Sequence, residues 1–570
     1  MRIAVALHSG FGLHSIKQVS ASLMQVLGQE HTLAILPSTY ALASDAEQSR
    51  IAGELVASCD VIVGFHSMLM PLLRARSAVK RAIPCIVLVL GAMPRGAVTI
   101  RDLLPHLTMR DVFVVTSQGD AQLVKRFVAN AKVALLALSY DEDTFRVLPS
   151  AEREQARAEF GCSSGSPMVL YAGRLTLEKN ILTLLRAFRA LAHSAPGARL
   201  ILAGPIGDDP CRHFGIMPVN FARTIVRTIV SLGLEPEQVH YLPSVARERL
   251  CTLYNAADVV LNLTLNHDEN FGLTQVEASA CGTPCVGTAW GGLRDTIRDG
   301  VNGYLVSAVV TPLGVKVDWN EAVVKVQRVL RRVASAASWS REMISAEAER
   351  FSTARYVAGW RQLLSDITAP GDSASPLAPT TFATEFWRQC SGPIGPDATY
   401  VFGTASFDAY LDMIASYATV TADHIPLTVS LEPDQIISLP AELVPLGQGR
   451  LRVEDALYPV VCALPSSCEV ACTSVTDLMV GHGAMAVEEL LERCSAPTAQ
   501  TIDAVQWMMS MGLLLRSRHA HHGGQHRCAS RTSDASCKPT AFSRVQVDPE
   551  NTDFLVYGRE STWTLDASRT

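Results

Sequence analysis

Residues Leu261–Val306 read LNLTLNHDENFGLTQVEASACGTPCVGTAWGGLRDTIRDGVNGYLV. An apolar run, Val259–Leu263, leads into a polar loop, His267-Asp268-Glu269-Asn270, and Phe271-Gly272 opens a helix predicted over Leu273–Ala280. Cys281-Gly282 closes that helix, with Gly where a left-handed residue often ends one, and Thr283-Pro284 starts the next strand. Strand, loop, helix and strand in this order are the grammar of a parallel sheet. The first amides of such a helix lack intrahelical partners and carry the positive end of its dipole, so the turn suits an anion. Glu269 just before the helix and Glu277 inside it are acceptors suited to sugar and ribose hydroxyls.

Working outward, the same grammar fills the first two thirds of the chain. In residues 1–148 the apolar runs are Ile3–Leu7, Leu33–Leu36, Val61–Phe65, Ile86–Leu90, Val112–Thr116 and Val133–Leu138, with helical spacing in Ile16–Leu27 and Asp120–Ala131. In residues 149–340 strands are predicted at Met168–Ala172, Arg199–Ala203, Val239–Leu242, Val259–Leu263, Pro284–Gly287 and Gly303–Val306. Helices are predicted there at Leu182–His193, Asn220–Leu232 and Arg247–Asn255. The fold expected is α/β, two Rossmann-like, doubly wound halves with an interdomain cleft, where ligands sit beyond the carboxyl ends of the strands. A helical stretch over 341–366 is expected to follow, and 367–384, within which residues 368–381 read TAPGDSASPLAPTT, reads as a linker.

A second loop carries cations. In Tyr171-Ala172-Gly173-Arg174-Leu175-Thr176-Leu177-Glu178-Lys179-Asn180 a strand ends at Gly173, and Arg174 and Lys179 follow in the turn to the next helix. Fixed Arg and Lys donors there would stabilise the charge of a leaving diphosphate without a metal.

With these residues together, the sequence resembles glycosyltransferase family 4, the large retaining group of the GT-B fold. The family's E-x7-E reads Glu269 to Glu277, its GR-x4-K reads Arg174 and Lys179, and its A-x-G-x-P-V corresponds to Ala280–Cys285. FG after the first Glu, Gly291-Gly292 and the turn Asp299–Gly303 complete the set. The resemblance spans about residues 1–366 and is strongest over 168–306. It implies a metal-independent, cofactor-free transfer of a hexose from a UDP-, GDP- or ADP-sugar with retention of configuration. Arg174 and Lys179 would hold the diphosphate, Glu277 the donor ribose and Glu269 the sugar hydroxyls, with Asn270, Phe271 and Gly272 offering amides. Gly10 and Gly12, after the first strand, would let backbone approach the donor phosphate. The leaving phosphate is expected to help deprotonate the acceptor, with no carboxylate nucleophile. The family often places a His after the strand matching Ile86–Leu90, and none stands there. His66, after Val61–Phe65, and His14 are the substitutes the sequence offers. Asp295 stands where the family commonly has Glu.

Composition narrows the rest. The 570 residues suggest about three or four domains. A net charge of −6 and 18% charged residues give no reason to invoke nucleic acid. MRIAVALHSG reads as a first strand rather than a signal peptide, and Ala82–Met93 is too short to span a bilayer. The fourteen Cys are scattered without a CxxC pair, which suits reduced thiols and a cytoplasmic location. Peripheral membrane contact stays open, as does the acceptor: glycan, lipid or small natural product.

Residues 385–516 read as an appended small α+β domain with helices at Ala486–Cys494 and Thr501–Leu515 and a winged-helix-like end, a candidate protein-interaction unit. Residues 517–570, opening on RSRHAHHGGQHR, read as a disordered tail. Cys462, Cys468 and Cys472 read as core thiols rather than zinc ligands. The competing functional reading is a catalytically silent nucleotide- or sugar-binding regulator acting through the appended segment.

Overall fold

The apolar runs of the first half become a sheet, seen in a computed structural model. It describes residues 1–389 apart from 8–13, 38–39, 80–81, 91–92, 164, 208–215, 219, 267–268, 312–313, 335–338 and 370–374. Beyond them it describes residue 413 and residues 436–438, 442–447, 450–454, 460–482, 484–511, 513–516 and 554–556. The N-terminal half runs β1 (Arg2–Ala6), α1 (His14–Gly28), β2 (Thr32–Ile35), α2 (Asp45–Ala57), β3 (Val61–Phe65), α3 (Met70–Ala78), β4 (Cys85–Val89) and α4 (Met93–Leu103). It continues with β5 (Val112–Val115), α5 (Gln118–Phe127), β6 (Val128–Ala129) and β7 (Lys132–Leu135). Its six-stranded sheet has the order β2-β1-β3-β4-β5-β7, every pair parallel. All five residues of β3 and of β4 are buried, as strands covered on both faces require.

The second half begins with α6 (Ser150–Glu159), β8 (Met168–Ala172), α7 (Ile181–Ser194), β9 (Arg199–Ala203), β10 (Ile216–Pro218), α8 (Phe221–Ser231), β11 (Val239–Leu242) and α9 (Arg247–Ala256). Then come β12 (Val259–Asn262), α10 (Leu273–Ala280), β13 (Cys285–Thr288), α11 (Leu293–Thr296), β14 (Gly303–Val306), a hairpin of β15 (Ala308–Thr311) and β16 (Gly314–Val317), and α12 (Trp319–Ala334). Its sheet is also parallel, in the order β11-β9-β8-β12-β13-β14. The two halves form the GT-B fold expected from the sequence. In the second, the strand order reverses between β8 and β12, and a crevice opens outside the carboxyl ends of such a pair. The loops leaving β8 and β12 are the two motif loops.

The chain crosses out of the first half after β7 and returns through α13 (Arg341–Ala346), a 3-10 turn (Glu347–Phe351) and α14 (Thr353–Thr368). The single helical stretch expected here is broken because Ser352 caps a new helix, its hydroxyl accepting from the Arg355 amide. Tyr356, Trp360, Leu363, Leu364 and Ile367 of α14 then share a core with Ile3, Val5 and Leu27. The two crossings are joined to each other: the Tyr140 amide donates to the Phe351 carbonyl (3.4 Å) and the Thr353 amide to Glu142 (2.6 Å).

Two boundaries differ from the sequence reading. The linker assigned to 367–384 and the domain start at 385 both yield to a docked segment. The Met109 amide donates to the Ser375 carbonyl, the Leu377 amide to the Leu107 carbonyl, and β17 (Ala378–Pro379) pairs antiparallel with β6. Next, α15 (Thr381–Gln389) sets Phe382, Phe386 and Trp387 around Phe127, with ring centroids 5.3, 5.3 and 5.8 Å away. These apolar side chains at helical spacing outweigh the polar composition before them. The same pairing ends α5 at Phe127, short of the expected Ala131, because Val128-Ala129 extend into β6.

Further on lies an α+β unit with its own core, including Leu443, Leu451, Cys472, Val475, Met479 and Met508. It contains helices Glu469–His482, Val487–Arg493 and Thr498–Met511 and an antiparallel meander, Glu442–Gly447, Arg450–Glu454 and Val460–Ala463. The helix expected over Thr501–Leu515 stops at Met511, and Leu515-Arg516 instead pair with Ile437-Ser438. Most of the tail expected to be disordered lies outside the described residues, but Phe554–Val556 form a strand antiparallel to β10. Among the described residues no helix is long and apolar enough to cross a membrane.

Candidate donor site

Two glycines let the site close on itself. Gly272 takes the left-handed conformation (φ +88°) at the start of α10, which allows the loop after β12 to turn sharply into the helix. A Cβ on Gly292 would stand 2.4 Å from the Phe271 amide nitrogen and Cα. Only glycine permits this approach of the Gly291-Gly292 turn to the Asn270-Phe271 backbone, and the Gly292 amide donates to the Glu269 carbonyl (2.6 Å). No side chain caps α10, and the dipole at its start favours an anion.

A lysine from the neighbouring loop meets this turn. Lys179 ends a 3-10 turn after β8, and its ammonium donates to Oε2 of Glu269. The side chains are 16% and 11% exposed, so this ion pair is largely shielded from water. Arg174 lies in the same loop, and its carbonyl accepts from the Tyr171 hydroxyl (2.7 Å), anchoring the turn to β8. Burial, with Glu269 nearby, pushes the Tyr171 phenol upward. Lys179 and Glu269, singled out separately in the sequence, are thus in contact.

Glu277 occupies the second turn of α10, where the Tyr254 hydroxyl donates to its Oε2 (3.1 Å). Burial pushes the Glu277 carboxyl up to about 7, opposed by the Arg247 charge and the Tyr254 hydrogen bond and assisted by Asp141. Arg247 pairs with Asp141 (3.2 Å) and lies over the Phe145 ring (5.2 Å), which in turn meets Tyr254 edge-on at 5.9 Å. Tyr254, Arg247 and Asp141 therefore surround Glu277, and sequence reasoning passed over all three as surroundings of that carboxylate. The one signal for Tyr254 is its position on the helix preceding β12, and spacing alone does not point it at α10.

Asn270 and Phe271 have separate tasks. Phe271 is buried against Phe351 (5.4 Å, edge-on) and anchors the loop. The Asn270 side chain reaches across to Thr116 of the first half, donating to its hydroxyl (3.0 Å). Gln275, one turn into α10, is 1% exposed, and neither end of its amide has a hydrogen-bond partner among the described residues. The sequence reading overlooked it too.

On the first half, the strand order reverses between β1 and β3. His66 follows β3 in a single 3-10 turn, buried, with Nδ1 3.4 Å from the Leu88 carbonyl at the end of β4. It stands at that half's switch point and is engaged with its own main chain. Gly10 and Gly12 fall outside the described residues. Among the described residues no group of three or more His, Cys, Asp or Glu is arranged to hold a metal.

Residues 152–313 match the model of the family described as Glycosyl transferases group 1. The matched stretch holds both motif loops and α10. Among curated proteins, the D-inositol 3-phosphate glycosyltransferase of Mycolicibacterium smegmatis is 36% identical over 199 residues, 34% of this chain and 42% of that protein. The protein of the same name from Nocardia farcinica is 32% identical over 249 residues, 39% of this chain and 51% of that protein. The chain thus spans about half or less of these relatives' length. Among solved structures, Anabaena Alr3699/HepE in complex with UDP and glucose aligns with a TM-score of 0.47 and 19% identity, covering 64% of this chain and 99% of that one. WaaG, a glycosyltransferase involved in lipopolysaccharide biosynthesis, aligns at 0.44 and 16%, covering 65% and 100%.

Proposed function

We propose that this chain is a glycosyltransferase that moves a hexose from a nucleotide diphosphate sugar to an acceptor held by the N-terminal half, with retention and without a metal. The observation that carries the reading is the Lys179–Glu269 pair, set beside the uncapped start of α10 within the stretch matching the glycosyl transferase family. A diphosphate arriving at those amides draws Lys179 and Arg174 onto its oxygens. Glu269, released from Lys179, accepts hydrogen bonds from the sugar hydroxyls, and Glu277 accepts from the ribose.

The bond from the anomeric carbon to the diphosphate oxygen breaks while the acceptor oxygen bonds to the same face. The acceptor proton passes to the departing phosphate oxygen. Arg174, Lys179 and the α10 dipole stabilise the charge that develops there.

The test incubates the protein with EDTA and UDP-, GDP- and ADP-sugars in turn and measures released nucleoside diphosphate, with Glu277→Ala and Lys179→Ala as controls. Once a donor is found, D-inositol 3-phosphate, the substrate in the curated relatives' name, is the first acceptor to try. Release from one donor that is lost in both variants supports the reading. No release together with no donor binding by calorimetry overturns it in favour of a silent binder.

A further inference from the structure

The turn Thr116–Gln118, between β5 and α5 of the N-terminal half, holds both donor-side loops at once. The Thr116 hydroxyl donates to the Asn270 carbonyl (3.0 Å) and accepts from the Asn270 side-chain amide (3.0 Å). Two residues on, the Gln118 amide donates to Oδ2 of Asp295 (2.8 Å). Thr116 is buried at 2% exposure, and Ser117 between them caps α5 by accepting from the Asp120 amide. Asp295 therefore sits at the amino end of a ten-residue helix, where the dipole favours its charge.

The donor-side partners form a single unit. Asn270 is bonded in sequence to Glu269, whose carbonyl accepts from Gly292 (2.6 Å). Asp295 lies three residues beyond Gly292, and its amide donates to the Gly292 carbonyl (3.0 Å). One turn of the first half thus grips the loop carrying Glu269 and the short helix packed behind it.

We propose that Thr116 and Asp295 are positioning residues that lock the first half against the Glu269 loop, governing the turnover of bound donor rather than its capture. The inference rests on the transferase reading. On that reading, capture of the donor's diphosphate and ribose rests on Arg174, Lys179, Glu277 and the α10 amides, all on the second half, whereas the Glu269–Asn270 loop meets the sugar that is transferred. The three cross-cleft hydrogen bonds contact none of those side chains. They fix how the half assigned to the acceptor faces the sugar, and a misplacement of about 1 Å can cost on the order of a hundredfold in rate.

The experiment compares wild type with Thr116→Val, Thr116→Ser, Asp295→Ala and Asp295→Asn. Valine keeps the shape of threonine and removes the hydroxyl, serine restores it, and asparagine keeps an oxygen for the Gln118 amide. Nucleoside diphosphate release from UDP-glucose, GDP-mannose and ADP-glucose gives kcat and KM, and calorimetry gives donor Kd. We expect kcat to fall at least tenfold in Thr116→Val and Asp295→Ala with Kd within twofold of wild type. Thr116→Ser and Asp295→Asn should recover to within about threefold. An unchanged kcat, or a loss carried entirely by Kd, overturns the proposal.

Hydrogen exchange read at the Gln118 amide decides the matter even if no donor is cleaved and the transferase reading falls. Faster exchange in both Thr116→Val and Asp295→Ala, with the rest of α5 still protected, supports the lock, and unchanged exchange refutes it.

Discussion

The Tyr254 hydroxyl donates a 3.1 Å hydrogen bond to Oε2 of Glu277, joining α9 to α10 inside the protein. Burial lifts that carboxyl from an ordinary 4.5 to about 7, so the folded chain holds a proton there that the unfolded chain has lost. The sign follows from linkage: with more protons bound in the folded state, stability falls as pH rises from 4.5 to about 7. Glu277→Gln should therefore stabilise the protein at pH 8, by on the order of 3 kcal/mol, and do little at pH 4. Urea unfolding at the two pH values checks this.

Donor affinity should move the other way, rising with pH through about 7 as the carboxylate forms. Tyr254→Phe removes a hydrogen bond that lowers the carboxyl value, so the midpoint of the affinity profile should shift to higher pH. Calorimetry with the released-diphosphate donor between pH 5.5 and 9 measures it, and an unmoved midpoint counts against the assignment of Glu277 to donor binding.

Lys179 and Glu269 are mutual partners in a mostly dry crevice. Removing one leaves the other's charge unpaired, which costs about 3–5 kcal/mol at buried sites, whereas removing both is far milder. Lys179→Met should be clearly destabilising and Lys179→Met/Glu269→Gln should recover most of the loss. Denaturant midpoints of the double-mutant cycle give the coupling.

The Asp111 carboxylate is fully buried and accepts from Arg76 twice, from the Cys85 and Thr108 amides and from the Thr108 hydroxyl. It ties α3, β4 and the entry to β5 together. Asp111→Ala strands the Arg76 guanidinium and should cost at least about 3 kcal/mol. Circular dichroism melting, expected to drop by several degrees, checks it.

Chains ending at Gln389 and at Thr368 differ by the segment docked around Phe127. Burying one such side chain contributes about 1.5–3 kcal/mol, so the shorter chain should melt several degrees lower. The longer, which lacks the Phe554–Val556 strand against β10, should match the full chain in the transition assigned to the N-terminal half. Differential scanning calorimetry separates these.

The βαβ alternation and the two motif loops were legible because each strand and its following turn are local in sequence. Parallel sheets bring such turns to one edge, so Lys179 and Glu269 could be set on neighbouring loops from spacing, and they meet there. Contacts made between distant turns were not legible. Thr116 meets Asn270 across 154 positions, and nothing near either residue marks the other. Tyr254 reaches Glu277 only through the relative rotation of two helices. The polar composition of 367–384 hid the docking of Leu377 and Phe382, because composition averages over residues while burial selects individual side chains.

The return of the chain to the N-terminal half has a mechanical meaning. After the second crossing it stays there through α14, β17 and α15. The α+β unit that follows in sequence is thus entered from a mooring on the N-terminal half, while Phe554–Val556 beyond it pair with β10 of the second half. The span between α15 and that strand is therefore fastened at one end to each half. Any rearrangement of the two halves would change the distance between those two fastenings.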